Sequence, residues 1–229
     1  MSLSQDFTVI IPLRAGSKGL PNKNITELNG KPLYMHAVDL AIEAKASRII
    51  LTTNIVKVLQ LKLTGQVEVL SRPEVLCCDT TPMSPVLLHA IEEADVHGTV
   101  VLLQPTSPLR SIEDLRGALD LFEHSESDLV LTLTVADSSV LKWGELSGEG
   151  FFQPLSSTKY VFSNRQSLPK VYKPNGAIYV FSAEWLRSNK DIGKAIAISG
   201  VNMPDCRSHD IDTLEDFALC QKILTSSRG

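Results

Sequence analysis

"TVIIPLRAGSKGLPNKN", Thr8 to Asn24, opens as a short apolar run rich in β-branched residues and, from Leu13 onward, becomes a loop carrying Arg14, Lys18, Lys23, two glycines and a proline. The first part, Thr8 to Ile11, reads as a strand buried on both faces, as the strands of a parallel sheet are. In such a sheet ligands collect beyond the carboxyl ends of the strands, and the loop emerges there. Glycine lets backbone N–H groups converge, so three cations on a segment built to bend predict an anionic ligand.

Working outward, further short strands are expected at Ile49 to Thr53, Val67 to Leu70, Thr99 to Leu103 and Leu129 to Val135. Helical patterns lie between them: one opens at Pro32 and runs to about Ala44, a second carries Val86, Leu87, Ala90, Ile91 and Ala94, and a third Leu115, Ala118, Leu119 and Phe122. Ser111 with Asp114, and Thr213 with Asp216, have the spacing of capping boxes, the second opening a final helix whose Phe217, Cys220, Ile223 and Leu224 share one side. The alternation predicts an α/β fold, a Rossmann-like, mostly parallel sheet with helices on both faces. From Asp137 to Asn175 the rhythm breaks, and the segment carries Trp143, Phe151, Phe152, Tyr160, Phe162 and Tyr172. A structureless loop of that length is uncommon, so residues 137–175 are expected to form a small β-rich excursion inserted in a core of residues 1–136 and 176–229. Its aromatic load suggests a partner surface, most simply another copy of the chain.

Composition narrows the function. A net charge of −4 in 229 residues argues against nucleic acid as a partner, which would select a basic face. No apolar run is long enough to cross a bilayer, and the opening MSLSQDF has neither the basic nor the apolar part of a secretory signal, so a cytoplasmic address is expected. The four cysteines and five dispersed histidines show no zinc-binding spacing; His209 stands out only because it adjoins Asp210.

The basic loop matches neither G-x-x-x-x-G-K-[ST] nor G-x-G-x-x-G. It offers instead one guanidinium fork, a hydroxyl (Ser17), two ammonium groups and flexible N–H donors. That set suits a nucleotide triphosphate, whose bridging oxygen gains charge as pyrophosphate departs. Far along the chain, "DID" supplies Asp210 and Asp212, a pair that would share one face if extended. It suits Mg²⁺, which takes one or two carboxylates with phosphate oxygens and water; helix capping near Thr213 is the other reading.

Five blocks in order, "RAGSKGLPNKN", "SRPE" (Ser71 to Glu74), "LLQPTSPLR" (Leu102 to Arg110), "PNGAIY" (Pro174 to Tyr179) and "DIDT" (Asp210 to Thr213), resemble the CMP-N-acylneuraminate synthetases, or acylneuraminate cytidylyltransferases. The resemblance implies a nucleotidyltransferase-type fold, CTP and a sialic-type nonulosonic acid as substrates, Mg²⁺ held by Asp210 and Asp212, and a homodimer in which the excursion completes the neighbour's site. It implies that Arg14, Ser17, Lys23, Asn24 and Arg72 meet the nucleotide, with Arg14, Lys23, Asp210 and Asp212 acting in catalysis. Gln104, Lys142, Arg165, Lys173 and Tyr179 would meet the sugar. Arg72 has a second reading as a surface ion pair with Glu74, and Tyr179 as ordinary strand packing.

Three positions depart from the resemblance: Lys173 where arginine is frequent, Asn54 where aspartate is common, and Met83 where a small hydroxyl residue often stands, with Ser84 as a substitute. They leave pseudaminic or legionaminic acid open as acceptor; Kdo is disfavoured, because the "SGTDR" segment usual in its synthetases is absent. They also motivate an alternative of another class, a CTP-binding or regulatory homologue without turnover.

Overall fold

The computed structural model of the protein describes residues 6–17, 19–62 and 65–226. Lys18 and the opening five residues lie outside the described residues. The main sheet has seven strands: β1 (Phe7–Leu13), β2 (Arg48–Thr53), β3 (Val67–Ser71), β4 (Thr99–Leu103), β5 (Leu129–Ala136), β6 (Val171–Ser182) and β7 (Ile198–Asn202). Their order across the sheet is β7-β5-β6-β4-β1-β2-β3. Every pairing is parallel except those of β6, which runs antiparallel to both β4 and β5. β1 is buried at every position, as its composition predicts for a strand covered on both sides.

The longer helices are α1 (Leu33–Glu43), α2 (Met83–Glu93), α3 (Ile112–His124), α4 (Ala183–Asn189) and α5 (Leu214–Ser226). Alternation along the strands divides the core in two. Val9, Ile11 and Leu13 pack with Ala37, Val38 and Ala41 of α1 and with Leu115 and Ala118 of α3. Ile10, Ile50, Leu102 and Phe181 pack with Leu87 and Ile91 of α2 and with Leu186 of α4 on the other face. Each such side chain contributes about 1.5–3 kcal/mol when fully buried. The sheet thus becomes a stiff platform for the loops at its carboxyl edge.

A third, smaller cluster positions the site. Leu20 of the basic loop, Leu28, Leu33, Leu109, Ile211 of "DID" and Cys220 of α5 pack together, with Phe217, Ile223 and Leu224 against them. The last helix therefore docks through the side expected of it. Both capping boxes are present: Asp114 N–H donates to Ser111 Oγ while Ser111 N–H donates to Asp114 Oδ2 at 2.8 Å, and Thr213 and Asp216 exchange the same pair of bonds.

After β5 the chain makes a 3-10 turn (Ser138–Lys142), a hairpin of Gly144–Leu146 with Phe152–Pro154, and a helical turn (Thr158–Val161). It returns as β6, which runs through residues 175 and 176. Val171 to Pro174 pair with β5 alone; after an irregularity before Tyr179 the strand also pairs with β4. Gly176, with φ of 78°, lies inside that irregularity, where a side chain would be strained. No helix among the described residues is long and apolar enough to cross a membrane.

Candidate active site

Arg14 leaves the carboxyl end of β1, and the loop it begins is braced from two sides. Asn24 is buried and donates from Nδ2 to the Arg14 carbonyl at 3.0 Å. From the end of neighbouring β2, Asn54 Oδ1 accepts the Ala15 N–H at 2.9 Å while its Nδ2 donates to Glu74 at 3.2 Å. An aspartate at position 54 would set a second carboxylate against Glu74, so the amide suits this neighbourhood. Arg14 itself pairs with Asp79, a partner that sequence reasoning missed.

The loop and the acidic stretch meet. A Cβ at Gly19 would run into the Asp212 carbonyl, so the two backbones touch where only glycine fits. The Lys23 side chain is 12 % exposed, and its ammonium donates to the Ile211 carbonyl at 2.5 Å and to Asp212 Oδ1 at 3.0 Å. Ile211 is fully buried, and its N–H donates to the Thr106 carbonyl at 2.8 Å, which ties the acidic stretch to the loop after β4. One open cavity of about 550 Å³ is lined by Arg14, Ser17, Lys23, Asn24, Arg72, Gln104 and Asp212.

Arg72 is no surface residue. It is 5 % exposed and donates to the Thr52 carbonyl at 2.6 Å, while Glu74 takes Asn54 instead. Burial pulls its guanidinium pKa down; Cys77 opposes this and Arg14 adds to it. Met83 lines the same cavity, but Ser84 does not replace the polar contact expected there: its hydroxyl donates to Asp191 at 2.9 Å.

A second cavity, of about 470 Å³, has Thr134, Lys173, Asn175, Tyr179, His209 and Asp210 among its walls. Burial pushes the Tyr179 phenol up, and Asp210 adds to that shift. Asp212 is in the lining of the first cavity and Asp210 in that of the second, on either side of buried Ile211. Gln104, expected at the sugar, also lines the first cavity, at the end of β4. Lys142 and Arg165 line neither; Arg165 is exposed and donates to Asp137 at 2.9 Å.

No group of three or more histidine, cysteine or carboxylate side chains gathers into a ready-made metal cage among the described residues. The two aspartates are hard oxygen donors at the seam of the cavities, and Mg²⁺ bound with substrate phosphates asks for no more than that from a protein. The donor set fits the ion. Behind the seam lies Arg110, also missed although it ends the "LLQPTSPLR" block. It is buried and joins the Gln104 carbonyl (2.7 Å) to the Ala177 carbonyl (2.9 Å), and burial lowers its pKa to about 9 against the pull of Asp210.

Comparison with known proteins shows the family. The model of the Cytidylyltransferase family matches residues 8–215. The chain is 30% identical over 211 residues to an N-acylneuraminate cytidylyltransferase of Streptococcus agalactiae serotype V, covering 91% of this chain and 51% of that one. It thus spans about half the length of that relative. It is also 30% identical to the CMP-N,N'-diacetyllegionaminic acid synthase of Legionella pneumophila, with 94% of each chain covered. A solved CMP:2-keto-3-deoxy-manno-octonic acid synthetase complexed with CTP superposes with a TM-score of 0.73 at 14% identity, over 97% of this chain and 100% of that one, a likeness of fold. With the family model spanning nearly all of the sheet and both cavities, the chain belongs to the cytidylyltransferase family.

Proposed function

We propose that this protein transfers the cytidylyl group of CTP to a sialic-type nonulosonic acid, giving the CMP-sugar and pyrophosphate. The observation that carries the reading is the single cleft in which the basic loop, buried Arg72 and Asp212 converge, opening beside a second cavity that holds Lys173, Tyr179 and Asp210. The first suits the polyanionic donor and the second the acid. The legionaminic acid synthase among the relatives supports keeping legionaminic acid, with pseudaminic acid, as an alternative acceptor.

In this reading the acceptor's anomeric hydroxyl attacks the α-phosphorus of CTP in line. A new P–O bond forms as the α–β bridging bond breaks, the hydroxyl proton passes to solvent, and pyrophosphate leaves. Arg14 and Lys23 bind the phosphates and take up charge developing on the leaving group; Ser17 and Asn24 keep the loop donors aimed. Arg72, already desolvated, adds a cation beneath the nucleotide. Asp210 and Asp212 would hold Mg²⁺, which when bound neutralises phosphate charge and lowers the acceptor hydroxyl's pKa. Lys173 and Tyr179 meet the acid in the second cavity, and Gln104 reaches it from the seam. Residues 137–175 act as a dimerisation excursion on the core of 1–136 and 176–229, and Lys142 and Arg165 serve the neighbouring subunit's site.

Purified protein with CTP, Mg²⁺ and a panel of nonulosonic acids is expected to release pyrophosphate with at least one acid, to stop on chelation and to resume when Mg²⁺ is restored. Binding of CTP without release across the whole panel would overturn the reading.

A further inference from the structure

Thr132 and Thr134 sit two residues apart on β5 and so point to the same face of the sheet, yet they end differently. Thr132 is buried and satisfied: its hydroxyl donates to Asn175 Oδ1 at 2.7 Å and accepts the Ile178 N–H at 3.1 Å. Thr134 is 2 % exposed, and its hydroxyl has no hydrogen-bond partner among the described residues. The nearby amide cannot help, because Asn175 is consumed by Thr132, the Ala177 N–H, Ser208 and Met203. Buried hydroxyls are almost always paired, so an orphan beside a cavity marks a place where a ligand completes the set.

Thr134 lines the second cavity and lies directly opposite Lys173 in the β5–β6 register, which puts both side chains on one face as close cross-strand neighbours. The staggered wells of threonine χ1 let the hydroxyl change places with the methyl and turn toward the cavity. Lys173 brings a positive charge to the lining beside Thr134, and Asp205, Asp210 and Asp216 line the same cavity. An anionic oxygen entering here is drawn to the Lys173 side. Resting on the proposed function above, we infer that Thr134 is a substrate-binding residue of the acceptor cavity, its hydroxyl donating to the carboxylate of the acid beside the Lys173 ammonium.

The test uses the intact protein and two readouts, calorimetric binding of the acid and turnover with CTP. Thr134→Val keeps the shape and deletes the hydroxyl. It is expected to weaken binding of the acid and raise its KM roughly tenfold or more, the usual size for one hydrogen bond to a charged group, with the KM for CTP unchanged. Thr134→Ser should stay near wild type. The melting temperature of Thr134→Val should hold or rise, since an unpaired buried polar group has been removed. A valine variant that binds the acid as wild type does, or one that melts lower while its KM stays put, overturns the inference and makes the hydroxyl merely structural. Binding that responds to valine in a protein releasing no pyrophosphate would sink the proposed transfer and leave the Thr134 contact standing.

Discussion

Lys23 carries the heaviest electrostatic assignment of any single side chain here. Its ammonium is mostly shielded from water and held by the Ile211 carbonyl and Asp212, so a phosphate that takes over from this carboxylate meets a donor already in place. Lys23→Ala is expected to lower kcat by about 100- to 1,000-fold, the range for deleting one preorganised donor, measured by pyrophosphate release at saturating substrates. Full kcat in that variant would remove Lys23 from the chemistry. Gly19 tests placement rather than charge. Because a methyl there meets the Asp212 carbonyl, Gly19→Ala must push the loop off the acidic stretch. Displacements of about 1 Å commonly cost on the order of 100-fold, so kcat/KM should fall by that much, and the melting temperature should fall too because Leu20 and Ile211 pack together beside the contact. That the basic loop lines a cavity was legible in the sequence because its chemistry is local: a strand, a glycine-rich bend and cations within ten positions. Arg110, Asp79 and Thr134 were not, since what singles them out is burial or a partner brought from another strand, and neither leaves a mark on neighbouring letters.

Helix and strand ends show how such side chains are held. Glu184 in the first turn of α4 accepts the Gly98 N–H at 3.1 Å and the Ser182 hydroxyl at 2.9 Å, clamping the start of α4 to the turn that launches β4. Burial opposes its ionisation, but its own N–H, that of Gly98, the Ser182 hydroxyl and His97 outweigh this and bring its pKa to about 2, from an ordinary 4.5. A carboxyl depressed in the folded state stabilises above its unfolded pKa and loses that contribution as pH falls through the folded one. Urea midpoints should therefore drop for the wild type as pH goes from about 4.5 to about 2, and the drop should be shallower in Glu184→Gln. Equal slopes would show that the clamp contributes nothing to acid stability. Among the elements, β1, β4 and the capped helices follow directly from composition and spacing. β7 did not announce itself, because Ile198–Asn202 is an edge strand with polar and glycine interruptions that finds its place only by pairing with β5.

Across the whole molecule, the excursion leaves most of its aromatic side chains in solvent. Trp143, Phe151 and Phe162 are exposed, Phe162 at 85 %, and a further apolar hollow of about 410 Å³ is lined by Val135, Val140, Trp143 and Tyr172. An apolar surface of this kind suits burial against another subunit. On the proposed homodimer, Phe162→Glu is expected to give monomer in sedimentation velocity; if Lys142 and Arg165 act across the interface, the KM for the acid should rise with it. An unchanged sedimentation coefficient would place the contact elsewhere. The sequence signalled this segment as a break in rhythm and an aromatic cluster, but its mixture of hairpin and helical turns rests on pairings that no local pattern encodes. Its return as β6 matters most mechanically. That reversed strand alone joins β4 to β5, so it works as the zip between a four-stranded panel and a two-stranded one. Deuterium uptake at the Val180 and Phe181 amides should then require complete unfolding, whereas the hairpin beyond β5 should trade its protons freely through its own brief openings.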